Sequence, residues 1–294
     1  MPIQRVLCAT ALASWPNDNA VLDSRQLLDS PYRPVVVLDS GVGGLTLVRQ
    51  LEQLAPEVSI LYVADNAWFP YGSKPVAAVA CRVQQLLDQV CTRVDPLAVV
   101  IACNTTSIAL IDHGRVPFTK GHFLVTPPLK EAVQASANGK IALLATPGTI
   151  KSKHISTALA KAITRAQVWP IAAQRLVELS EYKLAAQATS PACLSELIDS
   201  HLPTAQRLEI DTVILGCTHF PHLLGDLQTL FPSAATWIDP AKEVALQIAS
   251  SIKINLSTLG PPARTVIFTS LPGTRNPQHA FLNYGFHAAY SLLA

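Results

Sequence analysis

The sequence predicts an α/β fold of two pseudo-symmetric, doubly wound domains with mostly parallel sheets and a cleft between them. Short apolar runs alternate along the chain with stretches whose apolar residues recur at helical spacing. VVIACNTTSIAL (residues 99–110) and TVILGCTHFPHL (residues 212–223) repeat one pattern: an apolar run, a small residue, a cysteine, hydrogen-bonding side chains, then a helical pattern. Their cysteines, Cys103 and Cys217, stand about one small domain apart, and 294 residues suit two domains better than one.

Composition narrows the class. Charged residues make up 14% and hydrophobic ones 49%, the balance of a compact chain rather than a disordered one. A net charge of +2 without a basic cluster gives no footprint for nucleic acid or an anionic membrane, so a small partner is expected. No apolar run reaches the roughly 20 residues that span a bilayer. Six cysteines without a CxxC pair read as reduced thiols in the cytoplasm, not as a disulfide framework or a zinc site. The N-terminal VLCATALAS is shorter than a secretory signal and is read as part of a cytoplasmic extension.

Residues 1–33, with one helical candidate at 20–28, form that extension. PVVVLDSGVGG (34–44) then reads as a central parallel strand ending in an acid and a glycine turn, and Leu45, Val48, Leu51 and Leu54 open a helix after it. ILYVAD (60–65) is the next strand, followed by the loop NAWFPYGSKP. Val79, Val83, Leu86, Val90 and Val94 sustain a helical stripe leading to the strand that ends at Cys103. A second series follows: FLVTPP, a helix near 129–137, strand KIALLA with the turn TPGT, an amphipathic run from Ile150, VWPIA, helices around 174–184 and 192–202, and the strand ending at Cys217. TWID (236–239) and RTVIFTS (264–270) are expected to rejoin the first sheet. The first domain is then discontinuous, 34–127 with 235–294, and the second spans 128–234.

A cysteine between the end of a buried strand and the start of a helix meets free backbone N–H groups and the helix dipole, which favour a thiolate. Taken singly, either cysteine is as readily a small buried hydrophobe; the repeated context favours function. Cys8, Cys81, Cys91 and Cys193 lack that setting. Asn104, Thr105, Thr106 and Ser107, like Thr218 and His219, suit helix capping and equally suit the carboxylates of a small acidic substrate. Asp39, on an apolar strand end, has to be hydrogen-bonded or functional. Ser40 and the glycines of DSGVGG admit close approach of a ligand, although the pattern is not a dinucleotide fingerprint. Asp65, Tyr71 and Gly72 read by themselves as turn residues.

Two thiols facing each other across an amino-acid α-carbon make a two-base device: one removes the α-proton, and the other returns a proton from the opposite face. That proton is far less acidic than a thiol, so the site must stabilise the carbanion, or a cofactor must spread its charge. PLP would need a lysine, and Lys74 is the only one in the strand-end and loop motifs. A metal or redox site built on Cys103, Cys217 and His219 has too few ligands for a closed zinc centre.

DSGVGG, ADNAWFPYGSKP, ACNTTS, LATPGT, VELSEYKL and LGCTHFP occur in one order over residues 35–248, and in this the chain resembles bacterial glutamate racemase. The resemblance implies a cofactor-independent racemase with its active site between two pseudo-symmetric domains, supplying D-glutamate for peptidoglycan. It implies that Cys103 and Cys217 are the catalytic acid/base pair, assisted by Asp39, Glu178 and His219. The substrate-binding positions it implies are Asp39, Ser40, Tyr71, Gly72, Asn104, Thr105, Thr218 and His219, with Thr149 as a further contributor. It requires no metal. L- and D-glutamate are the implied ligands, a homodimer the implied assembly, and the N-terminal extension is like that of members activated by UDP-N-acetylmuramoyl-L-alanine. The related readings are an aspartate racemase and a binding protein that restrains DNA gyrase. Departures from the family pattern are Asp-Pro in IDPAKEVA (238–245) and the stretch HGRVPFTKGHF.

Overall fold

The computed structural model describes residues 33–115, 121–185, 191–252, 262–270, 277–286 and 288–291. The extension, with its helical candidate and Cys8, lies outside them, as does the side chain of Cys193. In chain order the first unit runs β1 (Val35–Asp39), α1 (Leu45–Leu54), β2 (Ile60–Ala64), α2 (Val76–Cys91), β3 (Ala98–Ile101), α3 (Asn104–Asp112) and β4 (His122–Leu124). Then come α4 (Leu129–Ala135), β5 (Lys140–Ala145), α5 (Pro147–Ile150), α6 (Lys153–Ala162), β6 (Gln167–Ala172), α7 (Gln174–Leu184), α8 (Pro191–Asp199), α9 (Thr204–Arg207), β7 (Thr212–Gly216), α10 (Leu224–Leu230) and β8 (Thr236–Ile238). The chain returns through α11 (Pro240–Ser251), β9 (Arg264–Phe268), α12 (Gln278–Asn283) and β10 (Ala288–Ser291).

Two all-parallel sheets result, ordered β10-β9-β2-β1-β3-β4 and β6-β5-β7-β8. β1 is buried at every position because the strand alternation sends successive valines to opposite faces, both of them covered. Val35 and Val37 meet Leu45, Val48 and Leu51 of α1 with Val244 and Ile248 of α11, whereas Val36 and Leu38 meet Val79, Val83 and Leu86 of α2. The second sheet divides likewise: Ala142, Leu144 and Val213 face Leu176 and Ile198, and Ile141, Leu143 and Ile214 face Leu129 and Ile155. Pro170 is tolerated because β6 is an edge strand.

One expected strand changes sheets. TWI pairs in parallel with β7 of the second sheet, Thr212 opposite Thr236, and does not rejoin the first. The chain therefore leaves the second sheet at Asp239-Pro240. There Asp39's counterpart in name only, Asp239, caps α11 by accepting the Ala241 N–H at 2.9 Å, and Pro240 takes the first helical position. RTVIF does rejoin the first sheet, beside β2. The chain thus crosses between sheets twice, at Pro127-Pro128 and at Asp239-Pro240. A cavity of about 860 Å³ lies at these crossings, lined in part by Leu124, Pro128, His154, Asp239 and Glu243. Among the described residues no helix is long and apolar enough to cross a membrane.

Candidate active site

The strand order brings the singled-out motifs together at the C-terminal edges of the two sheets, where open parallel sheets bind ligands. Cys103 caps the start of α3 with an extended backbone (φ −64°, ψ 117°), and the first turn behind it, Asn104 to Ser107, is buried. Cys217 follows β7 directly and is 5% exposed, as against 6% for Cys103. One thiol comes from each unit, and both are free.

The turn after β1 closes the gap between units. Asp39 is fully buried; its Oδ1 accepts the Gly41 N–H at 3.0 Å and its Oδ2 accepts the Thr218 hydroxyl at 3.0 Å. The Val42 N–H donates to Glu181 Oε1 at 2.9 Å. A Cβ on Gly43 would lie 2.4 Å from Thr218 Oγ1 and 2.5 Å from His219 Nδ1, so this position has to be glycine for the turn to reach the opposite wall. Ser40 is buried within the same turn.

Behind Cys217 runs a short relay. Its sulfur is 3.8 Å from His219 Nδ1, and His219 Nε2 is 2.8 Å from Glu181 Oε1. Burial opposes a charge on His219, but the Cys217 and Glu181 partners outweigh it and hold the imidazolium well above its ordinary range. Burial, joined by the charges of Asp39 and Cys217, pushes the Cys103 thiol up to about 12. Burial likewise raises the Asp39 carboxyl, against the opposing pull of His219 and its two hydrogen bonds. At neutral pH Cys103 is therefore a thiol, and a proton is stored beside Cys217.

The loop after β2 forms another wall. Asp65, read from sequence as a turn residue, is a fully buried node: it accepts the Tyr71 hydroxyl at 2.5 Å, the Thr269 hydroxyl at 2.6 Å, and Arg82 Nε and Nη2 at 3.1 and 2.9 Å. Tyr71 has its hydroxyl committed there, and its carbonyl accepts the Lys74 N–H at 3.0 Å. Thr105 Oγ1 lies 2.8 Å from Thr146 Oγ1 and 3.4 Å from Thr149 Oγ1, joining the two units through hydroxyls. Both amide atoms of Asn104, at the helix start beside Cys103, are buried without a partner among the described residues.

Of the residues singled out from sequence, Asp39, Ser40, Cys103, Asn104, Thr105, Thr149, Cys217, Thr218 and His219 converge on this cleft, with Tyr71 and Gly72 in its loop wall. Glu178 does not. Its carboxylate accepts Arg175 Nη1 at 2.9 Å on the outer side of α7, and the glutamate on His219 is Glu181. Both glutamates belong to VELSE, and three helical residues rotate a side chain by about 60° from its neighbour and advance it about 4.5 Å. That offset decides which one reaches the imidazole. Sequence reading also passed over Asp65, Thr146 and Gln174; a carboxylate directly after an all-apolar strand was the available signal for Asp65. Among the described residues no three His, Cys, Asp or Glu side chains are grouped to hold a metal ion.

Residues 45–248 match the family model described as Asp/Glu/hydantoin racemase. The chain belongs to that family. It is 32% identical over 222 residues to the glutamate racemase of Brucella canis, covering 75% of this chain and 80% of the relative, and 33% identical over 222 residues to that of Brucella anthropi. Among solved structures it is similar to Escherichia coli glutamate racemase, determined with L-glutamate and the activator UDP-MurNAc-Ala, with a TM-score of 0.78 and 30% identity over 88% of this chain and 98% of that one. A Bacillus anthracis glutamate racemase isoform gives a TM-score of 0.73 at 28% identity over 88% and 97%. The resemblance expected from the motifs therefore holds, and this racemase-family chain is an isomerase with the two-domain α/β architecture of those structures.

Proposed function

We propose that the chain interconverts L- and D-glutamate without a cofactor, with Cys103 and Cys217 as the two bases. The observation that carries this reading is the pair of buried, free thiols, one from each unit, each standing directly after or beside the C-terminal end of a parallel strand. A thiolate on one face takes the α-proton, and the electron pair passes toward the carboxylate. The thiol on the other face then gives its proton to the α-carbon. His219, held by Glu181, exchanges a proton with Cys217, and Asp39 sets the charge beside Cys103. Buried hydroxyls and amides at Asn104, Thr105 and Thr218 hold the substrate and exclude water, which strengthens every charge interaction during the transfer.

The same reading puts the reaction in the cytoplasm, where thiols stay reduced, and assigns its D-glutamate to peptidoglycan. UDP-N-acetylmuramoyl-L-alanine is the proposed activator. The cavity lined by residues of both crossings between the sheets is the proposed place for it. The test is incubation of metal-free, PLP-free protein with L-glutamate in deuterated water. D-Glutamate carrying deuterium at the α-carbon is expected. Absence of both product and α-exchange, with activator present and with L-aspartate also tried, overturns the reading.

A further inference from the structure

Gln174 opens α7 at the end of β6, and both atoms of its side-chain amide are shut from solvent with no hydrogen-bond partner among the described residues. Buried amides are nearly always paired, and an unpaired one costs stability unless something else supplies the partner. Its surroundings show where that partner comes from. A Cβ on Gly72 would lie 2.2 Å from Gln174 Oε1 and 2.8 Å from Thr146 Cβ, so the amide sits directly across from the loop wall of the cleft. Thr146 in turn meets Thr105, the neighbour of the equally unpaired Asn104. A line of polar groups thus runs across the cleft from Gln174 on one unit to Asn104 on the other.

Position along the sheet says which part of a ligand this line meets. Cys217 follows β7 and Gln174 follows β6, with β5 between them. Two strand spacings of about 4.8 Å set the two strand ends about 10 Å apart. The α-carbon belongs beside Cys217. A carboxylate three bonds farther along the substrate, together with the glutamine side chain reaching back, spans that interval; a carboxylate one methylene shorter leaves it open.

We propose that Gln174 is a specificity-determining residue whose side-chain amide donates to the distal carboxylate of the bound amino acid, selecting a five-carbon over a four-carbon dicarboxylate. The inference rests on the racemase reading above. It is tested with Gln174→Met, which keeps the volume and removes both polar atoms. Because it removes an unpaired polar group, the variant without ligand should melt no lower than the parent and is expected to gain about 2–4 °C. KM for both glutamate enantiomers should rise about tenfold with kcat within about twofold, and the preference for glutamate over aspartate in kcat/KM should shrink by a similar factor.

A lower Tm without ligand would mean an internal partner for the amide and would overturn the inference, as would an unchanged KM. Thermal shift separates this inference from the racemase reading: glutamate should stabilise the parent more than norvaline, which has the same length but no distal carboxylate, and Gln174→Met should erase the difference. If the parent does not racemise glutamate, the racemase reading falls and this thermal shift alone decides the role of Gln174. No difference between the two ligands on the parent, or a difference that survives the substitution, overturns it.

Discussion

Cys103 and Cys217 occupy equivalent places in two sheets but not equivalent electrostatic states. Cys103 has Asp39 for a neighbour and is held as a thiol, its pKa raised to about 12 by burial and nearby negative charge; Cys217 has the His219–Glu181 relay. Replacing either with serine is expected to lower kcat by about 10²–10⁴-fold, the usual worth of a positioned acid or base. The losses should differ between L→D and D→L turnover, read from the initial rates of each enantiomer. Glu181→Gln removes one of the partners that raise His219, so the imidazolium deprotonates at lower pH. The alkaline limb of kcat/KM is expected to move down in pH, whereas Glu178→Gln should leave it in place. Stability follows the same sign: with its pKa raised on folding, His219 contributes stability that is full below its unfolded value near 6.5 and lost as pH rises through the folded value. Denaturation across that alkaline window should show a steeper decline in the parent than in Glu181→Gln.

At the scale of elements, the turn between β1 and α1 is the part that holds the cleft shut. Asp39, Val42 and Gly43 all meet the opposite unit, through Thr218, Glu181 and His219 respectively. Gly43→Ala puts a methyl group into Thr218 and His219. A loss of about 1–3 kcal/mol is expected in urea denaturation, with kcat/KM down about 100-fold from displaced groups; unchanged kinetics would show that the turn can retreat freely. The glycines of DSGVGG were legible as a turn permitting close approach. That the approaching group is the protein's own opposite wall follows only from the packing. The helical stripe of α2 was equally legible, as Val79, Val83, Leu86 and Val90 are buried in line, because a 3.6-residue period leaves its mark on local sequence.

At the scale of the whole molecule, two crossings join the units, at Pro127-Pro128 and Asp239-Pro240, and residues of both line one cavity. The Asp39–Thr218 and Val42–Glu181 hydrogen bonds tie the two units together across the cleft. On the proposed regulation, UDP-N-acetylmuramoyl-L-alanine raises kcat/KM of the full chain by about fivefold or more, the ordinary range of coupling between two sites. Deleting residues 1–33 is expected to abolish that response. An equal response from the shortened chain would detach the extension from activation, and the basal rate of each form gives the reference.

The sequence by itself determined the alternating elements, the two equivalent strand ends and the identities of both cysteines, because periodicity and strand-to-helix turns are written in neighbouring residues. Tertiary structure decided three things that neighbours do not encode. It assigned β8 to the second sheet, since the register of a three-residue strand depends on which edge lies free. It chose Glu181 over Glu178, since two carboxylates three apart on one helix differ only in what stands opposite them. It turned Asp65 from a turn residue into the anchor of the Tyr71 loop, because its partners Arg82 and Thr269 come from other elements. Each of these is a contact between residues distant in the chain, and its energy exists only once the sheets are assembled.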